Sequence, residues 1–327
     1  MRLIHVTDQA PGIRRRRQGT GYVYRNARGQ RISSRRTLER IRAIVIPPAW
    51  SDVWICPDPR GHLQATGRDA KGRKQYRYHA GWTSRRGQDK FQRIADFAKQ
   101  LPKLRRRLRR DLARKGLPRE KVLAVAISLM ARTLIRIGND AYLRANHSYG
   151  LSTLRARHLR FLRDGRARLK FIGKSGQSQD IALDNRRLIR LLRRCQDLPG
   201  QALFQYIDEE GRRHRIDSGM INDYLQDAIG NGFTAKDFRT WGGTQLMVAA
   251  LLRQRAEEEK ATPEAMVVAA TKEVARALGN SPAVCRNSYI HPKVFSDWAE
   301  GNTLRRAPAE LAHQPRKLER FVLKVLR

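Results

Sequence analysis

Near its end the chain reads Asn280-Ser281-Pro282-Ala283-Val284-Cys285-Arg286-Asn287-Ser288-Tyr289-Ile290-His291-Pro292. Ser281 followed by Pro282 is typical of a helix N-terminus, because serine caps a free backbone N–H and proline needs no partner at the first helical position. We therefore predict a short helix that carries Tyr289 and that Pro292 stops. A single tyrosine in such a helix is usually a core or surface residue. Its interpretation as a nucleophile depends on cations elsewhere in the chain.

The chain has a very large positive charge for its length. Its 327 residues include 68 Lys and Arg against 30 Asp and Glu, which gives a net charge of +38. These basic residues are spread along the whole chain, so the folded domains themselves must be basic, as in proteins that bind polyanions. We expect DNA or RNA as the partner. A ribosome-associated or membrane-surface protein is the alternative.

Cysteine spacing and hydropathy indicate the cellular compartment of the protein. Cys56, Cys195 and Cys285 form no C-x-x-C pair, so neither a zinc ribbon nor a disulfide framework is expected. No stretch approaches the ~20 apolar residues of a membrane span, and the N-terminus lacks the apolar core of a signal peptide. We expect a cytoplasmic, nucleoid-associated protein without a membrane partner.

The first part of the chain predicts short strands. We interpret residues 1–20, with their run Arg14 to Arg17, as a mobile basic arm; a solvated charge run is the alternative. Residues 22–24, 53–56, 62–66 and 75–78 are predicted strands with turns between them. Tyr76 and Tyr78 alternate with basic residues, which suits a nucleic-acid surface, although both could equally be core residues. Because the composition changes near Gly81–Gly87, we predict a β-rich domain of residues 1–82 and a mainly helical domain of residues 83–327.

Arg136 stands at the end of the apolar run Val122 to Ile137, which we predict to be a buried helix. A charge so close to a buried run needs a partner. That partner is either an internal carboxylate such as Asp140 or a ligand anion.

Lys174 lies in a predicted tight turn after a hairpin at Asp164–Gly165. Gly173-Lys174-Ser175 resembles the end of a Walker A loop, but the first glycine of that motif is replaced by Arg168 and no helix follows directly. A lysine on a turn is usually just solvated, so Lys174 gains interest only from its combination with the other cations.

Arg239 follows a predicted capping box of Thr234 and Asp237. It would therefore lie near a helix N-terminus, where backbone N–H groups disfavour a cation. An acidic partner or a bound phosphate is implied.

Together these residues suit attack on a phosphodiester. Attack by a phenolate adds charge to the non-bridging oxygens, and two guanidinium groups can hold those oxygens without a metal. A lysine can protonate the leaving 5′-oxygen. A phosphotyrosyl intermediate keeps the bond energy, so rejoining needs no ATP. Asn280 could donate to a phosphate oxygen or simply cap a helix.

Four runs, in this order, resemble a type IB DNA topoisomerase of the small bacterial, poxvirus-like branch. They are Ile135-Arg136-Ile137-Gly138, Lys170-Phe171-Ile172-Gly173-Lys174, Asp237-Phe238-Arg239-Thr240-Trp241-Gly242 and Ser288-Tyr289-Ile290-His291-Pro292. The resemblance extends from about Gly19 to about Trp298. It covers nearly the whole chain, within the wider superfamily that topoisomerases IB share with tyrosine recombinases.

The resemblance implies a role for each site residue. Tyr289 would form a 3′-phosphotyrosyl link, Arg136 and Arg239 would stabilise the transition state, and Lys174 would be the general acid. Poxvirus-type members have a histidine nine residues before the tyrosine, where this chain has Asn280.

The resemblance also implies DNA contacts and a fold class. Gln75, Tyr76, Tyr78, Asn139 and Tyr142 match positions expected to contact DNA. The fold class is α+β: a small β-rich N-terminal domain and a larger, mainly α-helical catalytic domain with a small β-hairpin sheet, together a C-shaped clamp on double-stranded DNA. Such enzymes relax supercoils of either sign as monomers, without ATP, an obligatory metal or another cofactor.

A tyrosine site-specific recombinase is the alternative function. Recombinases usually have a histidine three residues before the second arginine, and here that residue is Lys236. The β-rich N-terminal segment also fits a topoisomerase better. A DNA-binding protein without catalysis is the third interpretation, and it predicts that replacing Tyr289 by Phe changes nothing.

Overall fold

The computed structural model describes residues 2–70, 72–257 and 261–327, with the side chains of residues 83–89, 142 and 145 left out. The described chain is a mixed α and β structure that packs as two compact units, Met1–Lys90 and Phe91–Arg327. The first unit is built on a β-sheet and the second is mainly helical. This matches the composition of the predicted α+β fold. The C-shaped clamp stays a prediction.

The N-terminal unit contains one five-stranded antiparallel sheet and helix α1 (Arg35–Ala43). In chain order the strands are β1 (Ile13–Gln18), β2 (Gly21–Arg25), β3 (Ser51–Ile55), β4 (Leu63–Arg68) and β5 (Lys74–Tyr78). Their order across the sheet is β2-β1-β3-β4-β5. Ile41 of α1 packs with Ile13, Val53 and Ile55 of the sheet in a small apolar core.

The predicted mobile basic arm is wrong for the arginine run. Arg14 to Arg17 lie in β1, which pairs with β2 on one side and β3 on the other. Arg15 is held in place because its Nη2 donates to Trp50 O at 2.5 Å and its guanidinium stacks on Tyr22 at 4.2 Å. Cross-strand pairing and these contacts order a run whose charge alone suggested a solvated tail.

The C-terminal unit contains most of the helices. They are α2 (Ala80–Leu112), which begins in the first unit, α3 (Arg119–Thr133), α4 (Asp140–Asn146), α5 (Arg186–Gln196), α6 (Ser218–Ile229), α7 (Ala235–Glu257), α8 (Pro263–Leu278), α9 (Pro282–Ser288), α10 (Pro292–Ala299) and α11 (Pro315–Val325). Helix α2 runs through both Gly81–Gly87 and Pro102. The composition change at residues 81–87 therefore marks no break in the backbone. The division into domains 1–82 and 83–327 stays a prediction.

Two small antiparallel sheets lie in the same unit. One has the order β6-β7-β8, from β6 (Leu159–Phe161), β7 (Ala167–Ile172) and β8 (Ser178–Leu183). The other pairs β9 (Gln205–Ile207) with β10 (Arg213–Arg215). The predicted turn at Asp164–Gly165 joins β6 to β7. The predicted Lys174 turn joins β7 to β8.

The main core surrounds α3 and α7. Val122, Ile127 and Met130 of α3 are fully buried together with Val248 and Leu252 of α7. The prediction of a buried helix is confirmed, but the predicted end of that helix, at Ile137, is wrong. Helix α3 stops at Thr133, and Leu134 takes a left-handed conformation at its C-cap. Arg136 therefore lies beyond the helix, in an extended segment.

The predicted helix cap at Ser281 is confirmed, because its side chain accepts a backbone N–H at the start of α9. The side chains of Ser34, Asn185 and Asp217 cap other helices in the same way. The prediction for Pro292 is wrong, because it opens α10 rather than stopping the preceding helix. Within the described residues, the helices include none that is long and apolar enough to cross a membrane.

Candidate active site

Tyr289 lies at the junction of two short helices. Helix α9 begins with the Ser281 cap, where Oγ accepts from Val284 N at 3.3 Å, and ends at Ser288. Tyr289 is its C-cap, with φ −133° and its N–H donated to Cys285 O at 2.9 Å. The chain then enters α10 through His291. Tyr289 is thus half-buried in a turn between two helices rather than on a helix face.

Arg239 is the immediate neighbour of the tyrosine. Its Cζ lies 4.8 Å from the centroid of the Tyr289 ring, so the guanidinium faces the aromatic ring. Arg239 itself is only 4% exposed. A guanidinium group has five donors in one plane, so it can hold the phenol oxygen and still offer N–H groups to a further anion.

Two helix C-termini hold Arg239. Its Nη1 donates to Leu134 O, at the end of α3, and its Nη2 donates to Leu278 O at 2.8 Å, at the end of α8. Carbonyl oxygens at helix C-termini carry partial negative charge, which stabilises a cation. The charge of Arg239, near the N-terminus of α7, is therefore stabilised by the C-termini of two other helices. Arg239 does not require the acidic side chain or bound phosphate that the sequence implied.

The start of α7 is fixed by one of the two bonds of the predicted capping box. Asp237 Oδ2 accepts from Thr234 N at 2.8 Å, and Asp237 Oδ1 pairs with Arg93 Nη2 at 2.9 Å. Asp237 is 2% exposed and therefore rigidly placed. This anchoring sets the first turns of α7, which present Arg239 to the site.

Arg136 lies in the extended segment after α3. Its carbonyl accepts from Leu151 N at 2.8 Å, and the next carbonyl, of Ile137, accepts from Ser152 N at 2.8 Å. These bonds take the place of helical ones. They explain why the apolar run does not stay helical to Ile137.

Arg136 and Asn280 form a direct pair. Arg136 Nη2 donates to Asn280 Oδ1 at 2.6 Å, and Arg136 Nη1 lies 3.5 Å from Gly279 O. Asp140, the internal carboxylate considered from sequence, instead pairs with Arg215 at 3.1 Å. With its oxygen on Arg136, Asn280 has its amide nitrogen left to donate elsewhere; that nitrogen makes only a long contact of 3.4 Å to Leu278 O.

Lys174 occupies the turn between β7 and β8. The turn is tight, with φ +62° at Ser175 and +74° at Gly176, and Lys174 is exposed. The hairpin reaches the neighbourhood of the Arg136–Asn280 pair, because its residue Gln179 packs on Gly279. The structure thus places the Lys174 hairpin beside the turn that carries Asn280.

The cations change the acidity of the tyrosine. Burial alone would raise the pKa of Tyr289, but the charge of Arg239, with smaller contributions from Arg136 and Lys236, holds that pKa below its ordinary value. Burial also raises the pKa of the neighbouring Cys285 thiol to about 11. The phenol is therefore the group in this turn whose anion the site favours.

The described residues contain no evident set of side chains that could bind a metal ion. Across residues 2–70, 72–257 and 261–327, no group of three or more His, Cys, Asp or Glu side chains is arranged to hold a metal ion. The half-buried histidine two residues after the tyrosine, His291, caps α10 through Nδ1, and burial lowers its pKa to about 4. It is a neutral capping residue.

Comparison with known families agrees with this geometry. Residues 75–313 match the family model described as eukaryotic DNA topoisomerase I, catalytic core. The chain belongs to the type IB DNA topoisomerase family. Residues 21–69 also match the bacterial DNA topoisomerase IB N-terminal domain, which agrees with the bacterial branch indicated by the sequence motifs.

Viral type IB topoisomerases are similar over most of the chain. The DNA topoisomerase 1B of Acanthamoeba polyphaga mimivirus is 35% identical over 286 residues, which cover 85% of each protein. The DNA topoisomerase 1B of Vaccinia virus (strain Copenhagen) and the DNA topoisomerase I of Monkeypox virus are each 22% identical over 277 residues, 81% of this chain and 83% of theirs.

The expected DNA-contact residues of this type IB topoisomerase differ in exposure and in the contacts they make. Tyr76 and Tyr78 of β5 are 47% and 41% exposed, with their rings stacked 6.0 Å apart. The alternative that both are core residues is therefore wrong. Gln75, beside them, donates to Asp69 Oδ2 at 2.9 Å. Asn139 is exposed just before α4. The side chain of Tyr142 lies outside the described residues.

The sequence interpretation missed the part of α7 on which the tyrosine rests. A Cβ at Gly243 would lie 2.7 Å from Tyr289 O, so only glycine allows this approach. Thr244 Oγ1 accepts from His291 N at 3.1 Å and is fully buried. Two consecutive glycines inside a helix cost ~1 kcal/mol each relative to alanine, so Gly242-Gly243 was a signal of close packing that the sequence already contained.

Proposed function

We propose that this topoisomerase relaxes supercoiled DNA by cutting one strand transiently, through a covalent link between Tyr289 and a 3′-phosphate, and then resealing it. The observation that carries the proposal is the arrangement around Tyr289. A buried arginine contacts its ring and lowers its pKa, while a second arginine, paired with Asn280, lies close enough to contribute to the same effect.

The cleavage step uses four of the side chains. The phenol of Tyr289 loses its proton to solvent, and its oxygen forms a bond to the phosphorus as the bond from phosphorus to the 5′-oxygen breaks. Arg136 and Arg239 stabilise the charge on the non-bridging oxygens. Lys174 gives its proton to the departing 5′-oxygen, which becomes a free hydroxyl.

Asn280 has a supporting role in this scheme. Its Oδ1 orients Arg136, and its amide nitrogen donates to a non-bridging phosphate oxygen. Where poxvirus-type members have a histidine, an amide can offer the same kind of neutral donor without titrating near neutral pH.

Resealing is the reverse reaction. The free 5′-hydroxyl attacks the phosphotyrosyl phosphorus, Lys174 recovers the proton, and the tyrosine oxygen leaves. Since the phosphodiester energy is kept in the intermediate, the cycle needs no ATP. The two guanidinium groups supply the positive charge that a metal ion supplies in other phosphoryl-transfer sites. Between the two steps the cut strand swivels about the intact one.

Both units contribute to DNA binding in this proposal. In the N-terminal unit the exposed Tyr76 and Tyr78 of β5, with Gln75, contact the duplex. In the C-terminal unit Asn139 and Tyr142 do so near the cut. The large positive charge supplies the phosphate contacts. One protein molecule suffices, because swivelling needs a single active site.

A plasmid relaxation assay tests the proposal. The purified protein is mixed with negatively supercoiled plasmid in EDTA without ATP, beside a Tyr289→Phe variant. We expect relaxation by the wild type and none by the variant. DNA binding without relaxation would favour a recombinase that needs paired sites, or a protein without catalysis. Relaxation by Tyr289→Phe would show that another residue is the nucleophile.

A further inference from the structure

Gln179 differs from its neighbours in the hairpin that carries Lys174. Ser178 and Asp180, on either side of it in β8, are exposed, whereas Gln179 is half-buried. Its partner across the hairpin is Phe171 of β7, which is 6% exposed. Cross-strand partners share a face of the sheet, so Gln179 lies on the face of the hairpin that packs inward.

The Gln179 side chain is in contact with two glycines. A Cβ at Gly173 would lie 3.3 Å from Gln179 Cγ, and a Cβ at Gly279 would lie 2.6 Å from Gln179 Nε2. The stem of the glutamine therefore packs on Gly173, and its amide lies directly on the backbone of Gly279. Any larger residue at Gly279 would force the amide away.

These two glycines immediately precede two residues of the site. Gly173 is followed by Lys174, and Gly279 is followed by Asn280. The carbonyl of Gly279 also faces Arg136 Nη1 at 3.5 Å. One side chain thus connects the turn of the general acid with the turn that holds the Arg136–Asn280 pair.

The Lys174 turn needs such a fixed point. Its residues 174–178 are exposed, and two of them, Ser175 and Gly176, have a left-handed backbone conformation. A proton donor must lie within hydrogen-bond reach of the leaving oxygen, and a displacement of ~1 Å can cost ~100-fold in rate.

We propose that Gln179 is a positioning residue that sets the distance between Lys174 and the Arg136–Asn280 pair, and so places the general acid at the 5′-oxygen. This inference rests on the proposed role of Lys174. It assigns Gln179 no contact with the phosphate; the residue acts by holding the hairpin against Gly279.

The chemistry of the leaving group gives a selective test. A duplex in which sulfur replaces the bridging 5′-oxygen at the cut releases a thiolate, which needs no proton because thiols are far more acidic than alcohols. A defect in the general acid, or in its position, should disappear with this substrate. A cleavage defect caused by changes to the tyrosine or the arginines should persist with the sulfur substrate.

The experiment measures single-turnover cleavage at saturating protein for the oxygen and sulfur substrates. We expect Gln179→Ala to slow cleavage of the oxygen substrate by about 10-fold to 100-fold and to leave cleavage of the sulfur substrate near the wild-type rate. Lys174→Ala should show the same pattern with a larger loss. Gln179→Met, which keeps the length of the side chain, should recover most of the rate. Gln177→Ala, an exposed glutamine in the same hairpin, should cleave both substrates like the wild type.

Thermal unfolding and DNA affinity of each variant separate positioning from misfolding. The inference is overturned if Gln179→Ala cleaves the oxygen substrate at the wild-type rate, or if it is slow on both substrates. A Lys174→Ala variant that sulfur does not rescue would instead contradict the general-acid role in the proposed function. Because this second result comes from Lys174→Ala alone, failure of the general-acid role can be distinguished from failure of the positioning role of Gln179.

Discussion

Arg239 contacts the ring of Tyr289 from the first turns of α7, and its terminal nitrogens are bound by the carbonyl oxygens of Leu134 and Leu278. One buried guanidinium thus joins the tyrosine to the ends of α3 and α8. This arrangement keeps the cation in place before DNA binds. It also lowers the pKa of the phenol that would attack the phosphate.

The lowered pKa of Tyr289 predicts a pH dependence. Cleavage should speed up as pH rises through the pKa of the tyrosine and level off above it, with a midpoint below the ordinary value of ~10 for tyrosine. Lys236, one turn before Arg239, contributes to the lowering. We therefore expect Lys236→Ala to move the midpoint to higher pH. The rate is measured with the 5′-sulfur duplex, so that no general acid limits it.

A lysine that is not among the charges acting on Tyr289 provides the control for that measurement. Lys324→Ala, at the exposed end of α11, removes the same charge and should leave the midpoint where the wild type has it. An unchanged midpoint in Lys236→Ala would show that the lysine does not act on the tyrosine.

Gly243→Ala should displace the tyrosine. The added Cβ would lie 2.7 Å from Tyr289 O and 3.2 Å from Tyr289 Cβ, so the turn must move outward. We expect single-turnover cleavage to fall about 10-fold to 100-fold, as for a shift of ~1 Å in a reacting group, on oxygen and sulfur substrates alike. Gly219→Ala in α6, where the methyl would meet only the Asp217 carboxylate at 3.1 Å, is the control. Equal rates for the two variants would contradict the close packing.

Thr244 should stabilise the same turn. Its hydroxyl donates to Thr240 O at 2.8 Å and accepts from His291 N at 3.1 Å, in a fully buried position. Thr244→Val keeps the shape but leaves the His291 N–H unpaired, which costs about 1–3 kcal/mol of unfolding free energy. Denaturant unfolding measures this loss. Thr244→Ser should recover the hydrogen bond, and a serine variant as unstable as the valine variant would argue against it.

The exposed tyrosines of β5 should matter for DNA affinity. Tyr76→Ala removes a half-exposed ring that stacks on Tyr78, and we expect it to weaken binding to duplex DNA by about 1–2 kcal/mol, the scale of the apolar area that such a ring buries on contact. Tyr76→Phe should bind almost as the wild type does. Fluorescence anisotropy measures the affinity of both variants.

The affinity of the wild-type protein for duplex DNA should fall steeply as the salt concentration rises, because many phosphates are contacted. Fluorescence anisotropy at several salt concentrations measures this, and a weak salt dependence would contradict the electrostatic argument.

The sequence predicted those parts of the structure that local chemistry determines. Ser281 with Pro282 marked the start of α9, and Thr234 with Asp237 marked the start of α7, because a cap depends on residues within one turn. The four candidate residues Arg136, Lys174, Arg239 and Tyr289 were named from motifs. The structure brings Arg239 and Tyr289 into contact.

Features that depend on distant residues could not be predicted in this way. The end of α3 depends on Leu151 and Ser152, whose N–H groups take the carbonyls of Arg136 and Ile137. The arginine run became β1 because two strands pair with it. The contact of Gln179 with Gly279 depends on hairpin register and on a turn one hundred residues away in sequence.

Mapping the covalent adduct is the most direct test of the role of Tyr289. The protein is incubated with a duplex that carries the 5′-sulfur at the cut, so that the product accumulates, and the protease-digested complex is sequenced by mass spectrometry. We predict one adduct, with the 3′-phosphate of the cut strand on the oxygen of Tyr289, and none in Tyr289→Phe. An adduct on another residue, a link to the 5′ end, or relaxation of plasmid without any adduct would contradict the proposed chemistry.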